Sequence, residues 1–270
     1  MTTTGTLGVD LAAQNRKTAG CVIEWDERGH GYVHCPTDRY RDEDLFAKLI
    51  DTQYITRAAI DAPFGWPTMF IKTIADYRDT GLWPDPYDSE ASVRNLRLRA
   101  TDRAIHQRLG LTPLSVSTDR IGIVAMHCAR LLAAVNDKLG EPVDRSGQGR
   151  ILEVYPAAAL RSWQISPVNS EDPGSYKGDS EPARTRREWV LEQISHQTSA
   201  WLEVNPKVNV VCIDSDDCLD ALICALIARA ADREQLEPIE PIDDPDGLAS
   251  SEGWIRLPKP ESLALLGAEH

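Results

Sequence analysis

The chain has 270 residues, 42% of them hydrophobic and 26% charged, and a formal net charge of −13 at pH 7. That composition supports a sizeable α/β core. The acidic balance argues against sequence-blind adhesion to nucleic acid, which runs on basic surface, and no apolar run reaches the ~20 residues of a membrane span.

Residues 7–12 read as a short apolar strand interrupted by one carboxylate, Asp10. Residues 18–25 form a second strand. After a glycine-containing turn, residues 32–35 form a third, which together predict an antiparallel meander. Residues 42–50 pattern as a helix with Leu45, Phe46, Leu49 and Ile50 on one face and acids in the first turn. Residues 57–63 then read as a buried strand carrying Asp61 near its end. A helix between strands argues for parallel pairing.

Residues 64–113 are rich in Trp, Pro and Arg and read as an insertion, with helices at 71–78 and 102–109 and a loop at 83–90. Residues 118–139 give a long amphipathic helix with Ile121, Val124, Cys128, Leu131, Leu132 and Val135 on its core side. Residues 151–156 form a strand carrying Glu153, followed by a helix from 157. Residues 169–185 are rich in Gly, Ser, Pro and charge, which predicts a mobile loop before a helix at 186–201. Residues 208–213 fit a strand or the lead-in to the next helix. Residues 217–231 form a strongly apolar helix opened by Asp217 and Asp220, and residues 253–258 a short strand or docking segment. The whole is expected to be a single domain.

The six cysteines form no CxxC pair and lie mostly in apolar segments. They read as reduced core residues. With a short polar start in place of a secretory signal, a cytoplasmic location is expected.

Acids stand where core residues belong at Asp10, Asp61 and Glu153, and at Asp217 and Asp220 on the apolar helix. A buried carboxylate costs several kcal/mol without a partner or a metal. Several together, with no bases beside them in sequence, favour a shared cation. Asp217 and Asp220 are three apart and share a face, which continues through Ala221, Cys224 and Ala228, small enough to lie close against a sheet. Helix capping is the plainer alternative and suits Asp214 and Asp216. An all-oxygen donor set suits Mg²⁺ or Mn²⁺, and such ions can serve phosphodiester hydrolysis.

Other motifs are weaker. Trp66, Trp83, Trp163 and Trp254 could stack bases, but such residues more often pack a core. His106 and His127 read as satisfied polar residues. No Walker A, GxGxxG, GxSxG or HExxH pattern occurs.

The segments GVDLA, IDAPFG, RATD, SVSTDRIG, EVYPAA and DDCLDALICALIA run in this order through most of the chain, with GWIRLP near the end. Together they resemble an uncharacterised family of predicted nucleases with an RNase H fold, domain-of-unknown-function family 429. The resemblance implies an RNase H-like mixed sheet with an antiparallel meander and parallel strands flanked by helices. The DxxDA pattern at residues 217–221 is also similar to the last helix of RuvC-type Holliday-junction resolvases. That similarity implies a metal and catalytic set of Asp10, Asp61, Asp217 and Asp220, with Asp61 where a Glu is common. Glu153 belongs to the EVYP motif and is a further catalytic candidate. Arg99, Thr101 and Asp102 of RATD, and Asp119 and Arg120 of SVSTDRIG, become candidates for binding substrate phosphate. Salt bridging of the arginines to Asp102 or Asp119 is the alternative.

The expectation is a metal-dependent nuclease, a hydrolase acting on DNA or RNA, with a homodimer left open. Two other classes compete. An actin-like nucleotide phosphotransferase would need glycine-rich phosphate loops, which Ala12-Ala13-Gln14-Asn15 does not supply. A non-catalytic binding module could keep the same fold.

Overall fold

The computed structural model describes residues 3–14, 17–83, 90–165 and 175–267. Seven strands form one sheet: β1 (Thr4–Asp10), β2 (Thr18–Trp25), β3 (Gly31–Val33), β4 (Thr37–Tyr40), β5 (Ile55–Asp61), β6 (Ile151–Glu153) and β7 (Leu202–Glu203). Their order is β6-β5-β1-β2-β3-β7, with β4 also paired to β2. β2 runs antiparallel to β1 and β3, while β5 is parallel to β1 and β6 parallel to β5. A meander on one side of β1 and parallel strands on the other make the RNase H-like arrangement that the resemblance implied.

Helices cover both faces. α1 (Asp42–Ile50) and α5 (Ile121–Leu139) pack on one, where Leu7, Val9, Ala58, Ile60 and Ile151 meet Leu45, Leu49, Cys128 and Leu131. α6 (Pro156–Ser162), α7 (Glu181–Thr198), α8 (Pro206–Asp214) and α9 (Asp216–Asp232) build the other core, against Cys21, Ile23, Trp25, Ala59 and Leu152. This division follows from strand periodicity, since alternate residues face opposite sides. In β1, Leu7 and Val9 face α1 and α5, so Gly8 and Asp10 face α9. In β5, Ala58 and Ile60 face α1 and α5, so Ala59 and Asp61 face α9.

Gly8 shows why α9 can come close. A Cβ there would lie 2.0 Å from the carbonyl oxygen of Ala221 and 2.1 Å from the amide nitrogen of Ala225. Backbone thus packs on backbone, and Ala221, Ala225 and Ala228 are fully buried. Every residue from Cys218 to Ala230 is buried, as expected for a helix apolar all round.

The remaining helices are α2 (Thr68–Thr80), α3 (Glu90–Arg97), α4 (Ala100–Leu109) and α10 (Ala249–Glu252). Several expectations are corrected. β4 and α3 were not anticipated. Residues 208–213 belong to a helix, started by Pro206 and capped by the Asn205 side chain, which accepts from the Lys207 amide. α5 begins at Ile121 because residues 116–120 turn, and α7 begins at Glu181, capped by Ser180. The expected loop at 83–90 lies largely outside the described residues. Residues 253–258 dock through single bridges, Ile255 to Glu153 and Pro258 to Leu236.

Trp163 and Trp254 are core residues, and His127 is tied to the Ala12 carbonyl and Asp42. All six cysteines are free thiols, and only Cys35 is exposed. Among the described residues, no helix is long and apolar enough to cross a membrane.

Candidate metal centre

β1 and β5 end side by side with Asp10 opposite Asp61 in register. Both side chains point towards α9, and the close approach at Gly8 brings Asp220 to them. One carboxylate oxygen from each of Asp10, Asp61 and Asp220 lies within 4.8 Å of the other two. Asp220 is fully buried, while Asp10 and Asp61 are half-buried.

Crowding acids out of water favours their neutral forms. Burial pushes Asp10 well above the usual carboxylate range, and the charges of Asp220 and Asp61 push further. Asp61 is raised to about 8, by burial first and then by Asp220. Asp220 is also raised by burial, against the opposing pull of Lys177.

Tyr176 and Lys177 complete the centre. The Tyr176 hydroxyl donates to Asp220 Oδ1 at 2.7 Å. The Lys177 ammonium donates to Asp220 Oδ2 and lies 4.0 Å from Asp216. Burial alone would lower the Lys177 pKa, but Asp220 and Asp10 hold it above its ordinary value. The segment is anchored from behind by buried Arg187 of α7. Its guanidinium donates to the carbonyls of Tyr176 at 2.7 Å, Gly178 at 2.8 Å and Ile213 at 2.7 Å. Within the segment 169–185 that was expected to be a mobile loop, Tyr176, Lys177 and Gly178 bond to α7 and α9. Residues 169–174 lie outside the described residues. Sequence reasoning missed Tyr176, Lys177 and Arg187. The available signal was the surplus of buried acids, which called for a base from somewhere.

Asp217 lies one turn before Asp220, half-buried, and its charge adds to the upward push on Asp10. It stands beside the converging oxygens of the other three. Glu153 is elsewhere. It pairs in register with Ile60, not Asp61, and so faces the α5 side. There it forms a buried pair with Arg99, at 2.7 Å between Oε1 and Nη2 and 2.9 Å between Oε2 and Nη1. Arg99 also binds Asp102 through Nε and Nη2, and Nη1 donates to the Glu252 carbonyl at 3.2 Å. The guanidinium is thereby held by four hydrogen bonds and the ion pair with Glu153. Burial alone would lower the Arg99 pKa, but Asp102 and Glu153 hold it above normal. Thr101 accepts from the Ile255 amide at 2.9 Å. Asp119 accepts from the Ser115 amide at 2.8 Å, and it and Arg120 are exposed where α5 begins.

A cavity of about 270 Å³ joins the two groups. Asp61, Asp220 and Lys177 line one part and Arg99 and Glu153 another. Pro63, Leu114, Ile121, Tyr155, Tyr176 and Ile255 are among its walls.

The family profile of a protein of unknown function, DUF429, matches residues 8–244. The chain belongs to the DUF429 family. No curated protein and no solved structure matches it. Within the family region, the acids on β1, β5 and α9 form the carboxylate cluster, whose oxygen-only donors and surplus negative charge fit a hard divalent cation.

Proposed function

We propose that this DUF429 protein is a metal-dependent nuclease, with Asp10, Asp61 and Asp220 holding Mg²⁺ or Mn²⁺ and Asp217 supporting them from the rim. The observation that carries the reading is the convergence of three carboxylates from three separate elements in a buried site. Ionising all three acids beside one ammonium gives surplus negative charge, which holds Asp10 and Asp61 protonated when no ion is bound and which a divalent cation can neutralise in place of those protons. When bound, such an ion stabilises charge on phosphoryl oxygens and lowers the pKa of water.

The chain's own groups have definable parts. Tyr176 fixes the orientation of Asp220 through its hydroxyl. Lys177, whose side chain is 44% exposed, presents a positive charge at the cavity mouth where a phosphate would arrive. The apolar walls keep bulk water from the acids and strengthen every charge interaction inside. Arg99 and Glu153 hold the cavity floor in place.

The test is cleavage of labelled DNA and RNA, including single strands, duplexes and branched junctions, by wild type and Asp220→Asn. Each is run with Mg²⁺, with Mn²⁺ and with chelator. Metal-dependent cleavage by wild type, lost in the variant, is expected. A folded wild type that cleaves nothing in the panel would sink the reading in favour of a binding module.

A further inference from the structure

Building on that reading, we infer that the cavity beside the carboxylates takes the base and sugar of one unstacked nucleotide, so that the substrate is a strand end or a single nucleotidyl ester and not the interior of a duplex.

The first argument is size. At about 270 Å³, the cavity is near the lower end of small-molecule sites, ~300–1,000 Å³. It suits one nucleoside and cannot seat a helix. The second is the character of the walls. Tyr155 and Tyr176 offer aromatic rings, and Leu114, Ile121 and Ile255 add apolar surface. A planar base gains most from such partners, because stacking needs a π-face and no particular hydrogen bond. Leu114 is 61% exposed, an apolar side chain at a cavity wall that a bound base would cover.

The third argument is what the lining combines. Asp61, Asp220 and Lys177 line the same cavity as the aromatic and apolar walls, and Tyr176 touches Asp220 directly. A phosphate at the acids and a base against those walls would use both kinds of lining, as one nucleotide does. The fourth is charge. A chain at −13 repels a long polyanion laid along it, whereas one phosphodiester needs only local compensation. Base selectivity should be weak. Arg99 is already engaged by four hydrogen bonds and an ion pair, and Glu153 already accepts from Arg99 and from the Phe64 amide.

The experiment compares two activated diesters with Mn²⁺: the p-nitrophenyl ester of thymidine 5′-monophosphate, and methyl p-nitrophenyl phosphate, which has no nucleoside. Wild type should prefer the nucleoside ester at least tenfold in kcat/KM. Ala157→Phe, which fills the cavity from its lining, should collapse that preference towards one. It should also weaken binding of thymidine 5′-monophosphate, followed by calorimetry with Ca²⁺, about tenfold. Leu114→Ala, at an exposed position with little risk to folding, should raise KM for the nucleoside ester several-fold. Linear single strands should be degraded from an end, with circular single strands of the same sequence resistant.

Equal use of the two diesters by wild type would overturn the pocket and leave the nuclease reading intact, as would cleavage of circles as fast as linear strands. An unaltered preference in both variants would do the same. Hydrolysis of neither diester and no cut in any nucleic acid would overturn both.

Discussion

Two groups of acids border one cavity, each gathered on one cation. Around Arg99 stand the carboxylates of Asp102 and Glu153, with Glu252 meeting it through its backbone carbonyl; around Lys177 stand Asp220, Asp10 and Asp61, with Asp216 at 4.0 Å. The difference is in the wiring. In the Arg99 group the carboxylates are spread apart and their oxygens take fixed donors: Glu153 accepts from the Phe64 amide, and Glu252 from the amides of Thr68 and Ala100. In the Lys177 group the carboxylates face one another across a few ångströms, and their cation rides on a half-exposed side chain. The first arrangement stitches α2, α4 and β6 together. The second leaves charge that an outside cation can neutralise. Composition does not separate a scaffold acid from a functional one; the fate of its lone pairs does.

The largest expected effect breaks the scaffold group. Arg99→Met leaves Asp102 and Glu153 buried without their cation, a change that costs about 3–5 kcal/mol. That corresponds to a Tm drop of roughly 10 °C for a chain of this size, read by calorimetry. A variant as stable as wild type would show that the cluster is no scaffold. Next comes the centre itself. Asp220→Asn should lower metal-dependent cleavage about 10³-fold, equivalent to roughly 4 kcal/mol, with no comparable loss of Tm in chelator. If both variants instead lost stability equally, the contrast between the groups would fail.

The contrast was only half legible in the sequence. Asp10, Asp61 and Asp220 stand out because each interrupts an apolar run, and the small residues after Asp220 announce a helix pressed on a sheet. Glu153 interrupts a run too, yet register sets it on the opposite face. A three-residue strand carries too little pattern to show which way it pairs. The Arg99–Glu153 pair spans 54 residues and the Lys177–Asp220 pair 43, so neither leaves a local trace. β4 and α3 were missed for a related reason. β4 is a four-residue polar strand held by its pairing to β2, and in α3 the apolar stripe is only Val93 and Leu96 within a short, strongly polar segment. The meander, the parallel pairing and α9 were legible because buried strands and helices write strong patterns.

A pH series sharpens the comparison. Asp61 ionises near 8 in the folded chain and near 4 when unfolded. Below pH 4 both states hold the proton and no penalty exists. As pH rises through 8 the unfolded chain releases it first, so stability falls. In chelator, wild type should therefore lose ground to Asp61→Asn between pH 5 and 8, by about 4 kcal/mol or roughly 10 °C. Mg²⁺ should restore it. A pH-independent difference would mean that Asp61 is ionised throughout. Lys177→Met removes the resident ammonium, and Mn²⁺ should then bind about fivefold more tightly, roughly 1 kcal/mol, by calorimetry or electron paramagnetic resonance. Weaker binding would mean that Lys177 organises the acids and does not compete for them.

The smallest effect is expected at the cavity rim. Arg120 is exposed at the start of α5, next to Ile121 in the cavity wall. It is well placed to meet a phosphate beyond the one being cleaved, but through water and salt, where a single exposed charge contributes roughly 0.2–1 kcal/mol. Arg120→Ala should therefore raise KM for a linear single strand about two- to threefold at low salt, leave kcat unchanged, and lose its effect as ionic strength rises. The nucleoside ester, with no neighbouring phosphate, should not register the change. A large loss on that small substrate would place Arg120 at the reacting phosphate, making it a third cationic contributor alongside the rigid Arg99 and the exchangeable Lys177.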